Sequence, residues 1–236
     1  MLTIVIPTKN EEVCLPLLLA SIKQQTVQPK QVVVADACST DNTCKIAEEY
    51  GSLVVSGGMP GCGRNRGAEV AMTDLVLFLD ADVVLQDPEF LEHSLGEILE
   101  RKLEIATCDV LPFDGIWLDH LLHTFYNKYV RLWGSLLPHA PGFCIFIKKS
   151  VHTDIQGFDE SVVFAEDHEY VRRGAKKARF GILKTKIPVS VRRMHRDGHL
   201  NILWKYFFGE LHLVFLGPIR HDRFHYTFGH EKKKEE

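Results

Sequence analysis

The sequence has no CxxC pair, no long apolar run and no excess of charge of one sign, and each absence removes a class of function. Its six cysteines, at positions 14, 38, 44, 62, 108 and 144, are scattered through segments that read as buried or helical. That is how reduced thiols are used in a cytosol, and disulfides are not expected. No stretch reaches the roughly 18 consecutive apolar residues that a membrane span needs. Met1 leads directly into LTIVI, without a basic n-region or an apolar h-region, so neither a secretory signal nor an N-terminal anchor is expected. The expectation is a cytoplasmic protein, soluble or peripheral at the inner face of the membrane. The 28 Lys and Arg against 31 Asp and Glu give a formal net charge of −3, which offers no general attraction for nucleic acid.

What is present is a globular composition: 236 residues, 45% hydrophobic, enough for one large α/β domain or two small ones. The chain reads around Leu75 to Leu85, LVLFLDADVVL. The apolar residues from Leu75 to Leu79 suit a parallel strand buried on both faces. Ligands of open α/β sheets bind beyond the carboxyl ends of the strands, so Asp80 and Asp82 point at a ligand. Two crowded carboxylates want a cation, and oxygen donors suit Mg²⁺ or Mn²⁺ completed by substrate phosphates. The plainer alternative is a solvated acidic turn.

Taken in order, Leu2 to Ile6 is a strand ending at Pro7, followed by Thr8-Lys9-Asn10-Glu11-Glu12 and a helix to about Gln25. QVVVA, residues 31 to 35, is the next strand; it ends at Asp36 before a polar turn in which Ser39 or Thr40 caps a helix to about Tyr50. A third strand, Leu53 to Val55, continues the alternation, so the sheet should start parallel. Gly57 to Gly63 reads as a flexible loop leading through Arg64 into a helix that ends near Met72. Its spacing, GxGxxxG after the third strand, departs from the dinucleotide fingerprint. Arg64 near that helix start is placed instead to meet a phosphate or a base. Pro88 opens a helix to about Glu100, Glu104 to Val110 is a strand, Ile116 to Leu136 is a long amphipathic stretch, and Gly142 to Ile147 is a sixth strand. A second acidic cluster, Phe164-Ala165-Glu166-Asp167-His168-Glu169, starts a helix with acids at its N-terminus and bases at its C-terminus, which simple capping also explains. Ile182 to Val191 is a last strand. The apolar helix Leu200 to Leu216 should bury its aromatic face against the protein or a second subunit, with membrane contact as the alternative. The tail EKKKEE reads as disordered.

Together IPTKNEE, Asp36, GRNRGA, LDADVV, GFDE and AEDHEY occur in one order. That order resembles the family 2 nucleotide-sugar glycosyltransferases of the GT-A fold, over about residues 2 to 191. The resemblance implies an α/β fold with a Rossmann-like nucleotide-binding half, a mixed central sheet and helices on both faces. It implies a UDP- or GDP-linked sugar donor, a Mn²⁺ or Mg²⁺ cofactor, and a lipid-linked or small-molecule acceptor. Carried over by position, Pro7, Thr8, Glu11 and Asp36 hold the nucleoside, Arg64 borders the base or diphosphate, Asp80 with Ala81 faces the ribose, and Asp82 holds the metal. Asp167 is the general base of an inverting transfer. Arg192 and Arg193 lie near the diphosphate, and His195 could complete the metal shell. The expected domain spans 1–195, with a helical extension at 196–230 and a tail at 231–236.

Departures are visible. The usual acidic pair after strand two is here Asp36-Ala37, and the Gln/Arg-x-x-Arg-Trp signature of processive polysaccharide synthases is absent, as are their membrane spans, so transfer of one sugar is expected. A sugar-nucleotide-forming nucleotidyltransferase should carry a basic glycine-rich loop after strand one, where this chain has PTKNEE. A decayed, non-catalytic GT-A protein remains as an alternative, although Asp82 and Asp167 are both retained.

Overall fold

β-branched runs and helix-period runs alternate through the first eighty residues, and they fold as parallel βα units. The computed structural model describes residues 1–220 apart from Asp114 and Ser135 and the side chains of Arg192 and Arg193. In it β1 (Leu2–Thr8), β2 (Gln31–Asp36), β3 (Leu53–Ser56) and β4 (Leu75–Phe78) pair in parallel, connected by α1 (Leu15–Lys23), α2 (Thr43–Glu49) and α3 (Pro60–Glu69). After α4 (Phe90–Arg101), β5 (Ile105–Pro112) and α5 (Trp117–Trp133), the chain returns through β6 (Ile145–Lys148), antiparallel to both β4 and β5. It then forms α6 (Lys149–Asp154), α7 (Glu166–Ala175), β7 (Phe180–Val189), α8 (Arg192–Asp197) and α9 (His199–Phe215). The described residues form one seven-stranded mixed sheet in the order β3-β2-β1-β4-β6-β5-β7.

Helices cover both faces because the central strands are apolar on both. Leu2, Ile4 and Ile6 of β1 join Leu15, Leu18 and Phe90 in one core cluster, while Val5 joins Phe78, Phe158 and Tyr170 in the other. The six cysteines are free, with the buried Cys108 and Cys144 thiols touching at 3.3 Å across β5 and β6. Among the described residues no helix is long and apolar enough to cross a membrane.

Several local expectations are corrected. β1 runs through Pro7 rather than stopping there, because β4 pairs only with Leu2 to Val5, so Pro7 has β2 as its single partner and its missing N–H disturbs no second ladder. Helix α3 begins at Pro60, inside the expected loop, since proline is well suited to a first helical turn. Neither Ser39 nor Thr40 caps α2; Asp41 binds the N–H and hydroxyl of Thr43 instead. The segments 149–154 and 192–197, left without helices by pattern, each form a short one. Of the two partners expected for the aromatic face of α9, this chain covers little: the helix rests on Ile202, Gly209 and Leu213 and Tyr206 stacks on Phe164, while Trp204, Phe207 and Phe208 are exposed, which leaves the second subunit or a membrane to cover them. The expected tail at 231–236 lies outside the described residues.

The glycines of α3 serve packing. A Cβ at Gly67 would stand 2.2 Å from Val5 Cγ1, and one at Gly63 would stand 3.1 Å from Pro7 Cβ, so the helix lies directly on β1. Gly67→Ala should therefore destabilise the fold by about 1–3 kcal/mol through overpacking. Gly96→Ala in α4, where nothing lies within 4 Å, should stabilise it by about 0.5–1 kcal/mol. Urea unfolding of the two variants beside the wild type reads both signs.

Candidate active site

At the carboxyl ends of β1 and β2 two loops are bound to each other. Lys9 Nζ donates to the carbonyls of Ala37 and Cys38 at 2.7 and 2.6 Å. Asn10, at φ 55°, accepts the Thr40 N–H, Glu12 accepts from Asn42, and the Glu11 N–H donates to the Thr43 hydroxyl. Asp36 sits beneath this lattice, buried. Its carboxylate accepts the Ser39 hydroxyl at 2.5 Å, the Ser39 N–H at 2.8 Å and the Thr8 hydroxyl at 3.1 Å. Burial raises the Asp36 pKa, but these donors, with Cys44, hold it below the ordinary carboxylate value, so Asp36 stays ionised. Thr8, Glu11 and Asp36 thus share one rigid edge.

The centre of the site is Arg64, on the second turn of α3 and 2% exposed. Its Nη2 donates to Asp80 Oδ1 at 2.8 Å and its Nη1 to Glu166 Oε1 at 3.0 Å. One guanidinium therefore joins the end of β4 to the start of α7. The guanidinium lies over the Phe158 ring, 5.4 Å from its centroid, and Nε is buried without a hydrogen-bond partner. Gly142 makes this approach feasible, since a Cβ there would stand 2.5 Å from Arg64 Nη2.

Burial opposes the charge on Arg64, but Asp80, Glu166 and Asp167 outweigh it and hold the guanidinium firmly protonated. Glu166 is pushed up, first by burial and then by Asp167, with Arg64 opposing. Three carboxylates around one cation leave surplus negative charge, and Asp82 follows Asp80 by two residues. Hard oxygen donors with that surplus fit a divalent cation of the Mg²⁺ or Mn²⁺ kind.

Asp167 is fixed by the backbone. Its Oδ2 accepts the Gly142 N–H at 2.7 Å and its Oδ1 accepts the His168 N–H at 2.8 Å. Behind it His168 stacks edge-on to His139, and both approach Glu210 of α9, which also pairs with Arg172. Burial pushes Glu210 up, yet His139, His168 and Arg172 together hold it well below the usual carboxylate range.

Of the residues expected from sequence, Arg64, Asp80 and Asp167 are brought together around Glu166, and Pro7, Thr8, Glu11 and Asp36 share the neighbouring edge. Ala81 is buried behind Asp80. His195 Nε2 lies 2.9 Å from Asp119 Oδ2, and His199 Nε2 lies 2.8 Å from the other oxygen of that fully buried carboxylate. The side chains of Arg192 and Arg193 lie outside the described residues. Pattern reading missed the partnership of Arg64 with Glu166, 102 residues apart, and the Gly142 N–H on Asp167. An arginine set directly after the small residues Gly61, Cys62 and Gly63 was the available signal for the first, and the second had none.

The seven-stranded mixed sheet, with Asp36 and Asp80 at the carboxyl ends of its strands, is a GT-A type α/β fold. Solved structures agree: the mannosyltransferase PcManGT of Pyrobaculum calidifontis, in complex with GDP-Man and Mn²⁺, superposes with a TM-score of 0.68 at 21% identity over 85% of this chain and 61% of its own. TarS of S. aureus with UDP-GlcNAc superposes at 0.64 with 24% identity over 81% of this chain and 58% of its own. The model of glycosyl transferase family 2 matches residues 3–156, and the chain belongs to that family. Among curated relatives, the 4,4'-diaponeurosporenoate glycosyltransferase of Staphylococcus haemolyticus is 34% identical over 140 residues, 56% of this chain and 34% of the relative. That of Staphylococcus aureus strain USA300 is 38% identical over 145 residues, 57% and 36% of the two chains. The chain thus spans about a third of the length of these relatives.

Removing the guanidinium leaves Asp80 and Glu166 without their shared partner. Arg64→Met should cost about 3 kcal/mol or more, because breaking a buried ion pair strands its charges. Arg64→Lys should recover only part of that, since one ammonium cannot reproduce the two-armed geometry. Urea midpoints for the two variants give the comparison.

Proposed function

We propose that the chain is a glycosyltransferase that moves one sugar from a nucleoside-diphosphate sugar to an acceptor hydroxyl, with inversion at the anomeric carbon. The observation that carries this reading is the buried Arg64 holding Asp80 and Glu166 on its two arms with Asp167 alongside. It joins a donor-side acid to an acceptor-side acid at the edge of the sheet where such ligands bind.

In this reading Thr8, Glu11 and Asp36 line the nucleoside end, and Asp80 faces the ribose. Asp82 with Asp80 supplies the carboxylates for a Mn²⁺ or Mg²⁺ ion, which when bound neutralises charge on the departing diphosphate. Asp167 takes the proton. The acceptor oxygen bonds to the anomeric carbon, the bond from that carbon to the diphosphate oxygen breaks, and the hydroxyl proton passes to the Asp167 carboxylate. The Gly142 and His168 N–H groups orient that carboxylate and leave lone pairs on both oxygens for the incoming hydroxyl. Arg64, being buried and occupied by its two acids, serves here as a positioning residue rather than as a direct contact of the base. The donor is UDP- or GDP-linked and the acceptor lipid-linked or small. Residues 1–195 form the catalytic unit with a helical extension beyond, working in the cytoplasm.

Asp167→Asn should lower the rate of nucleotide release from the sugar donor by roughly 10²- to 10⁴-fold while leaving donor affinity nearly unchanged, as loss of a general base does. Near-normal transfer by this variant would reduce Asp167 to a structural acid. Asp82→Ala should abolish the dependence of UDP or GDP binding on divalent metal with the fold intact. Calorimetric titration with and without Mn²⁺ decides this one: equal, metal-independent affinity in wild type and variant removes the metal from the reading.

A further inference from the structure

Every exposed phenylalanine and tryptophan among the described residues lies in two segments, 113–133 and 204–215. All three tryptophans of the chain are there: Trp117 and Trp133 in α5, Trp204 in α9, exposed by 74%, 43% and 57%. Such placement is opposite to the usual fate of large aromatics, and apolar surface on this scale marks a surface that something covers. A buried carboxylate ties the start of α5 to the start of α9. Asp119 in the first turn of α5 binds His199 at the first residue of α9, and His139, shortly after the end of α5, approaches Glu210 in the last third of α9.

Charge separates the candidate occupants. Helices α5, α8 and α9 carry six Lys and Arg against three Asp and Glu, a net +3 in a chain whose total is −3, so that the rest carries −6. The three acids already have basic partners within the chain: His195 and His199 hold Asp119, Arg196 holds Asp197, and Arg172 holds Glu210. Two of the cations are engaged as well, Arg131 with Asp109 and Arg196 with Asp197, and the net charge of these helices stays positive, so a second copy meeting them through a two-fold axis would bring like net charge together. Anionic lipid headgroups supply the missing charge, acyl chains accept Trp204, Phe207 and Phe208, and tryptophan is favoured at the headgroup boundary. α5 sets Trp117, Leu121 and Phe125 on one exposed stripe opposite its buried Asp119 and Val130, the amphipathic arrangement of a helix lying in an interface, and α9 beside it buries only Ile202, Gly209 and Leu213.

We propose that α5 and α9 form a docking surface for an anionic lipid bilayer. The surface stands on exposure and charge, independently of the glycosyl-transfer reading, and its failure would leave that reading in place. Glu210 and His139 connect α9 to His168, the neighbour of Asp167, so docking sets the acceptor side of the site beside the membrane.

The test is flotation of the full chain with vesicles of phosphatidylglycerol and phosphatidylcholine, beside vesicles of phosphatidylcholine alone. Tryptophan emission is read in parallel, since all three tryptophans sit on the proposed surface and need no label. The expected result is co-flotation with the anionic vesicles and a blue-shifted, quencher-protected emission, both reduced by high salt. Phe207→Ser with Phe208→Ser should weaken partitioning by on the order of 10- to 100-fold by removing two apolar anchors. Because both side chains are exposed, circular dichroism and the thermal midpoint should be unchanged. Absence of flotation, equal binding to neutral vesicles, or flotation indifferent to the double substitution would each overturn the proposal. So would a dimer in sedimentation equilibrium that the same substitutions dissolve while the vesicles stay unbound.

Discussion

One buried guanidinium organises this site. Arg64 has no water to solvate it, and a charge in that position is tolerable only with opposite charge on its donors. Asp80 comes from the end of β4 and Glu166 from the start of α7, so satisfying Arg64 also fixes the spacing between the two acidic segments. Other features follow from that need. Gly142 has no side chain because the guanidinium occupies its place, Phe158 presents its ring to the cation, and α3 carries Gly63 and Gly67 so that it can lie close enough to β1 to deliver the arginine. The arrangement is expensive in desolvation, and it leaves more carboxylates than cations around one guanidinium.

Much of the fold was legible because it rests on short-range pattern. The apolar runs from Leu2, Gln31, Leu53 and Leu75 became parallel strands with boundaries shifted by a residue or two, and Asp36 and Asp80 stood at strand ends as their positions implied. What escaped the pattern depends on partners. Pro7 stops a strand only where two neighbours need its N–H, and it has one. The glycines before Arg64 resemble a flexible loop until Ala35 of β2 is placed against Gly57, Phe158 against Gly61 and Pro7 of β1 against Gly63.

The site itself was legible by halves. Asp80 and Asp82 stand out through spacing and Arg64 read as a contact for a phosphate or a base, whereas its link between acids far apart in sequence is visible only in the geometry. Nothing local could show that, since the pairing depends on how β6 and α7 return to the sheet. The C-terminal helix is the other instance. Its apolar periodicity argued for burial, whereas the observed contact stripe is narrow and the aromatic side faces outward next to the equally aromatic α5. Both cases show the same physical limit: a side chain's chemistry is local, while its partner is decided by topology.

The central claim, that Arg64 couples Asp80 at the end of β4 to Glu166 at the start of α7, is tested most directly by a double-mutant cycle. Asp80→Asn, Glu166→Gln and the double variant would be compared with wild type by urea unfolding at neutral pH. If both acids act through one guanidinium, their effects should be non-additive by about 0.5–3 kcal/mol, the range found for residues in one ion-pair network. Additivity within about 0.5 kcal/mol, the behaviour of independent sites, would contradict it.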